Sequence, residues 1–355
     1  MESDPKEVCP MPVLSGSFPV RRYSVKNIAN TPPDYYTMIR EGLKAGVYRD
    51  PLSAIWSGVR TGWCSIDNYL NEDPSDQCTV GEYAVFGLRI DTKNAPAGQV
   101  RAKLAKAMDA WKEERGAKAV PKDVKLELRE NVTNEVLSLT SARTKVIDVA
   151  WDTVNDWVVL SNLSESVAET FVRQFHASFP GLTLELWQPF GTEEDLLADI
   201  EHRAGDFYLW LWWQIATGEE MYGVESISVD GKVVLSGSTG ETAVSSEDIN
   251  RVVEVRPALR SGKKPTAIKL RFECSALEYT FTLTGSRMFI PALKLPESNE
   301  NKKSRLDREA AILDRMGAYT TLNDTLTEWV EVFLALHTNG EAWSDVSRRI
   351  TDWME

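Results

Sequence analysis

Val146-Ile-Asp-Val-Ala-Trp151-Asp152-Thr153-Val154-Asn155-Asp156-Trp157-Val158-Val159-Leu160 reads as two apolar strands folded about the polar turn Asp152–Asp156. Upstream, from Pro96 to about Ser141, the pattern is helical. Val100, Leu104, Met108 and Trp111 fall on one helix face, Gly116 and Pro121 interrupt, and Leu126, Leu128, Val132, Val136 and Leu139 continue a second helix. Downstream, a helix starts near Ser164 or Ser166, with Glu169 spaced for a capping box with the latter, and Pro180-Gly181 ends it. Leu182–Trp187 is a further strand. Towards the N-terminus, Ser17–Val25 and Gly81–Ile90 read as strands, and Thr31-Pro-Pro-Asp34 opens a helix through about Leu43.

The second half carries the apolar window Phe207–Ile215 behind a helix start at Thr192–Asp195. A hairpin is expected over Val224–Leu235 with Asp230-Gly231 as its turn. A helix from about Ser246 is expected to stop before Pro257. Strands follow at Thr266–Glu273 and Glu278–Leu283, forming a small sheet of their own, then a linker over Pro291–Ser304 and terminal helices at Arg305–His337 and Trp343–Met354. The fold class is therefore α+β, with antiparallel sheets and long helices. Four parts are expected: a mobile arm over 1–16, an α+β unit over 17–190, a second over 191–295, and C-terminal helices over 296–355.

The chain has 355 residues, 43% of them apolar, enough for ordinary cores. Its net charge of −13 argues against binding polyanions over the whole surface, yet phosphate contacts are counted locally and one basic surface suffices. Cys9, Cys64, Cys78 and Cys274 form no Cys-x-x-Cys pair, so reduced thiols and no zinc are expected. The opening Met-Glu-Ser-Asp-Pro-Lys-Glu has no leader character, and the apolar window is too short to span a bilayer. A cytoplasmic chain without a membrane partner is the expectation.

Residues 101–125 hold Arg101, Lys103, Lys106, Lys112, Arg115, Lys118, Lys122 and Lys125 against four acids, a local excess of +4. The charges flank the apolar stripe on both sides. They read equally as a solvated helix flank or as a phosphate-contacting surface. Smaller basic clusters lie at Lys263, Lys264, Lys269 and Arg271, and at Lys302, Lys303, Arg305 and Arg308. The 12 tryptophans could stack on bases, but Trp111, Trp151, Trp187, Trp210, Trp212 and Trp213 follow apolar periodicity and read as core. His176, His202 and His337 have no ligand spacing. Asp91-Thr92-Lys93 after a buried strand is similar to the Asp-x-Lys of metal-dependent nucleases, with Glu82 as an upstream acid, a short and common pattern. No cofactor is implied.

From Ser17 to Pro189 the order of elements resembles the bacterial recombination-associated protein family RdgC. The points of likeness are the first strand, the Gly62-Trp63 dipeptide, the strand Ala84–Ile90, the basic helix from Arg101, the joint Lys122-Asp-Val-Lys125, and above all Asp152-Thr-Val-Asn155. The chain departs from the family over Leu139–Lys145, where aromatic residues beside an arginine are replaced; Arg143 remains and Ser141 and Thr144 are not aromatic. The resemblance implies a horseshoe-shaped subunit, a homodimer closed head-to-head and tail-to-tail into a ring, and duplex DNA in a basic hole without sequence readout. It further implies a nucleoid-associated protein that restrains recombinase-driven strand exchange, with the eight basic residues and Arg143 as phosphate contacts and a recombinase as a possible further partner. Two other readings stay open: a metal-dependent nuclease on Glu82, Asp91 and Lys93, and a protein-interaction scaffold without DNA binding.

Overall fold

A computed structural model describes residues 13, 16–27, 34–71, 73–76, 78–192, 194–221, 223–237, 240–245, 255–295 and 305–355. The first half runs β1 (Ser17–Asn27), α1 (Tyr35–Ala45), β2 (Gly58–Cys64), β3 (Thr79–Val80), β4 (Tyr83–Lys93), α2 (Ala97–Arg115), α3 (Lys122–Leu139), β5 (Arg143–Asp152), β6 (Trp157–Leu160), α4 (Glu165–Ser178) and β7 (Leu182–Leu186). The second runs α5 (Leu197–Thr217), β8 (Ser226–Ser236), β9 (Thr242–Ser245), α6 (Val255–Arg260), β10 (Lys264–Cys274), β11 (Leu277–Thr284), β12 (Ile290–Lys294), α7 (Arg305–Thr338) and α8 (Gly340–Met354). The fold is α+β, and every pairing between these strands is antiparallel.

The two halves share one sheet path, β2-β4-β5-β6-β1-β12-β11-β10-β8-β9, with β3 on β4 and β7 on β1. The joint is β1. Its first residues pair with β12, Arg21–Ser24 pair with β6, and Tyr23–Asn27 pair with β7. Strand alternation then feeds two cores. Ile147, Val149, Trp151, Val158 and Leu160 point towards α1 and α4, among Trp63, Phe171 and Phe175. Ala150, Trp157 and Val159 point the other way, into a core shared with α5, α7 and α8. Because the inner part of β5 (146–151) and β6 are covered on both faces, they are apolar at every position but Asp148. Gly62 is fixed by packing: a Cβ there would lie 2.4 Å from the Tyr48 Cα.

Several expectations change. The small second sheet is continuous with the first through β12, so Pro291–Lys294 belong to a strand and not to a linker; Leu295 after it is buried, and residues 296–304 lie outside the described residues. Asp230-Gly231 is a bulge within β8, because residues 230–232 face Lys269 alone while Val229 and Val233 pair with Leu270 and Ile268. Gly231, at φ +71, serves a bulge as well as it would a turn, and Lys269 Nζ holds Asp230 at 2.6 Å. α6 includes Pro257 in its first turn, where no N–H is needed; residues 246–254 lie outside the described residues. The N-cap position of α4 is Ser164, whose side chain makes no capping hydrogen bond, so Ser166 and Glu169 lie inside the helix and not in a capping box. Thr192 and Asp195 form a hydrogen-bonded turn ahead of α5, whose helix starts at Leu197. Within the segment expected as a mobile arm, Val13 is fully buried: its N–H donates to Asp148 Oδ2 at 3.0 Å and its carbonyl accepts from Arg315 Nε at 3.1 Å. Gly16 O likewise accepts from Arg315, and the rest of 1–16 lies outside the described residues.

Candidate nucleic-acid interface

β4 and β5 form a ten-residue ladder from Tyr83↔Asp152 to Thr92↔Arg143. At one end of it, the chain turns back through Asp152-Thr-Val-Asn155. The Asp152 side chain, fully buried, accepts hydrogen bonds from Val154 N, Asn155 N and Asn155 Nδ2 at 2.8–2.9 Å. Thr153 donates through N–H and Oγ1 to the Glu82 carbonyl, fastening the turn to the start of β4. At the other end, the connection from β4 to β5 is a helical hairpin, α2 and α3, which pack on each other.

α2 begins after Pro96 and ends at Gly116, whose left-handed φ of +57 closes the helix; Pro121 precedes α3. No residue of α2 is buried. Val100, Leu104, Met108 and Trp111 are only half-buried, so Trp111 is part of a thin stripe against α3 and not of the core. In α3 only Val132, Val136 and Leu137, near the sheet, are buried, while Leu126 and Leu139 point into solvent at 70% and 74% exposure. The arm is about 28 Å long at 1.5 Å per residue.

All eight basic residues of the 101–125 run sit on this arm. Lys103 pairs with Glu135 across the two helices at 2.5 Å, Lys112 with Asp109 at 3.0 Å, and the Arg115 guanidinium lies over Trp111. Arg101, Lys106, Lys118, Lys122 and Lys125 are exposed and form no ion pair with the described residues. Lys112, Arg115, Lys118, Lys122 and Lys125 gather at the far end. Arg143, also exposed, stands at the base as the first residue of β5. Arg129, exposed on the same α3 face as Lys122 and Lys125, lies beyond the 101–125 run that composition singles out, although its i, i+3, i+7 spacing is plain in the sequence.

The other basic clusters differ. Lys264 pairs with Asp206, Lys269 and Arg271 with Asp230, and Arg308 with Asp67, while Lys263 donates to Thr242. Lys302 and Lys303 and the side chain of Arg305 lie outside the described residues. His202 and His337, distant in sequence, converge on the buried Asp206, each Nε2 at 3.5 Å from Oδ2, which sequence spacing could not reveal.

The nuclease triad is not assembled. Glu82 stands at one end of β4 and Asp91 at the other, on the order of 30 Å away along an extended strand. Asp91 is buried and already satisfied by Arg89 at 2.8 Å and by the Tyr48 hydroxyl at 2.7 Å. Burial pushes its carboxyl up, and these hydrogen bonds outweigh that, holding it below the usual carboxylate range. Lys93 donates to the Ala54 carbonyl at 2.6 Å and so ties the preceding loop to β4. Among the described residues, no group of three His, Cys, Asp or Glu is arranged to hold a metal ion, and no helix is long and apolar enough to cross a membrane. Cys64, Cys78 and Cys274 are buried thiols.

Residues 59–199, from β2 through the arm, the Asp152 turn, α4 and β7 into α5, match the family described as "Putative exonuclease, RdgC". Through this segment, about two fifths of its length, the chain is similar to the RdgC family. The RdgC match takes in both the turn and the arm and leaves out β1 and most of the second half. No curated protein matches the chain.

Proposed function

We propose that this RdgC-like chain is a non-enzymatic protein of recombination that binds double-stranded DNA without reading its sequence. In this reading, horseshoe-shaped subunits pair into a ring-shaped dimer around the duplex, associate with the nucleoid, and restrain strand exchange by a recombinase. One observation carries the reading: Lys264, Lys269, Arg271 and Arg308 of the basic clusters elsewhere are matched by carboxylates, whereas seven cations on the arm (Arg101, Lys106, Arg115, Lys118, Lys122, Lys125 and Arg129) are exposed without an acidic partner among the described residues. In a chain of net charge −13, a concentration of unmatched cations on one projecting element favours local phosphate contact there, while the acidic remainder of the surface is on balance repellent to DNA. The separation of Glu82 from Asp91 supports the non-enzymatic form of the proposal.

The test is fluorescence anisotropy on labelled duplex across a salt series with Mg²⁺, followed by a gel for cleavage. The wild-type chain is expected to bind duplexes of unrelated sequence alike and to leave them intact. A variant carrying R101E, K106E, K118E, K122E and K125E should bind more weakly, with a log K against log salt slope shallower by about 0.9 for each phosphate no longer neutralised. Unchanged affinity and slope in that variant would sink the arm as the interface. Mg²⁺-dependent cleavage would sink the non-enzymatic assignment. Sedimentation of the protein with and without duplex tests the dimer.

A further inference from the structure

A groove of about 530 Å³ runs between the outer face of α4 and the strands β1 and β7. Its floor is apolar: Tyr23, Ala168, Val172 and Leu186. At one end stands Arg21, only 1% exposed. One face of its guanidinium stacks on Phe289 at 4.7 Å, Nη1 reaches the Ser164 carbonyl at 3.4 Å, and Nη2 donates to Glu165 Oε1 at 2.5 Å. Its Nε has no hydrogen-bond partner among the described residues. A buried cationic N–H left unpaired is costly, and the Nε and Nη2 edge of arginine fits both oxygens of a carboxylate. Glu165 occupies that edge with a single oxygen, which it shares with Arg287 at 3.0 Å, and its side chain is 63% exposed. It is a displaceable carboxylate on a seat built for two oxygens.

The strand edge beside the groove is open at the matching place. Trp187 N–H donates to the Arg22 carbonyl, so by alternation Leu182, Leu184 and Leu186 turn their N–H groups away from β1. The Phe179 carbonyl caps Leu182, and His176 Nε2 caps Leu184 at 3.3 Å. Leu186 has no such cap among the described residues, and its side chain lines the groove. A small ligand would be mostly enclosed by its site. An open groove flanked by a helix and a bare strand edge instead fits an extended peptide, which pairs with the edge and places alternate side chains on the floor.

We propose that this groove binds a short extended segment of a partner protein, with aliphatic side chains on Tyr23, Val172 and Leu186 and a carboxylate on the Arg21 edge in place of Glu165. The site is separate from the arm and does not depend on DNA binding. The groove carries Arg21, Arg173 and, at its edge, Arg287 against Glu169 once Glu165 is displaced, a cationic excess that favours an acidic segment over a basic one.

The test is anisotropy on the full chain, without DNA, of the fluorescein-labelled peptide Gly-Ser-Asp-Leu-Glu-Ile-Leu with a free C-terminus. The control is the same peptide with Asn, Gln and a C-terminal amide in place of its carboxylates. The acidic probe is expected to bind at least tenfold more tightly than the control. V172E, which places a charge on the floor, should abolish binding with the fold intact by circular dichroism. E165Q, which weakens the resident competitor, should tighten binding severalfold, an effect that a purely structural Glu165–Arg21 pair would not give. Equal binding of probe and control, indifference to V172E, or no binding to either wild type or E165Q would overturn the proposal.

Discussion

The Asp152 turn and the α2–α3 arm hang from opposite ends of the same strand pair and are held in opposite ways. At the turn, a fully buried carboxylate satisfies three donors, Trp151 and Trp157 are buried on either side, and the chain has no other place to go. In the arm, nineteen residues of α2 form a helix without burying one of them. The first is over-determined by tertiary structure. The second rests on helix propensity, two Pro/Gly boundaries and a thin apolar seam. Elements of the first kind fix a fold, and elements of the second kind are free to present charge. Asp152→Ala probes the difference most strongly, since it strands two backbone N–H groups and the Asn155 amide. The expected loss is about 3 kcal/mol, read as a lower urea midpoint. The exposed arm substitution Leu126→Ala should cost under about 0.5 kcal/mol. Similar losses at the two sites would erase the contrast.

A second probe stays on β5. Asp148 lies four residues before Asp152 and is nearly as deeply buried, but among the described residues its carboxylate accepts only the Val13 N–H. Burial raises its carboxyl to about 7, and the Val13 hydrogen bond only partly opposes this. The native state therefore holds this proton more tightly than the unfolded chain, where an aspartate titrates near 3.9. The stabilisation is complete below about pH 4 and is lost as pH rises through about 7, with a slope of at most about 1.4 kcal/mol per pH unit. Asp148→Asn removes the titration. Its urea midpoint should gain on the wild type between pH 5 and pH 8, and a constant difference across that range would show that Asp148 is ionised in the fold throughout.

The same division decides what could be read from the sequence. The strands around Asp152, α4 and the long α7 were legible because burial on defined faces leaves periodic apolar residues. The hairpin α2–α3 was legible from Pro96, Gly116 and Pro121. Asp230-Gly231 misled because a left-handed glycine looks alike in a turn and in a bulge, and only the cross-strand partner, β10, tells them apart. Conversely, Ser275-Ala276, both at positive φ, form the tight β10–β11 connection with no glycine to announce it. The basic run was visible as composition. Its lack of carboxylate partners was not, because the acids that neutralise Lys264, Lys269 and Arg308 are distant in sequence. The Arg21 groove left no local signal either, since β1, α4 and β7 meet only in the fold.

The smallest effect is expected within the arm itself. Lys103 and Glu135 make the ion pair that links α2 to α3, and both side chains are more than a third exposed. Solvent screening limits such a pair to a few tenths of a kcal/mol, too little to move a global urea midpoint. Yet the arm has little else to hold it, so it should open on its own, well below the free energy that unfolds the sheet. Hydrogen exchange should find α2 amides far less protected than those of β5, and Lys103→Gln should speed α2 exchange about twofold while leaving β5 unchanged. Protection of α2 equal to that of β5 would mean that the arm opens only with the whole molecule, and its thin seam would then have to be stronger than any of its exposed contacts suggests.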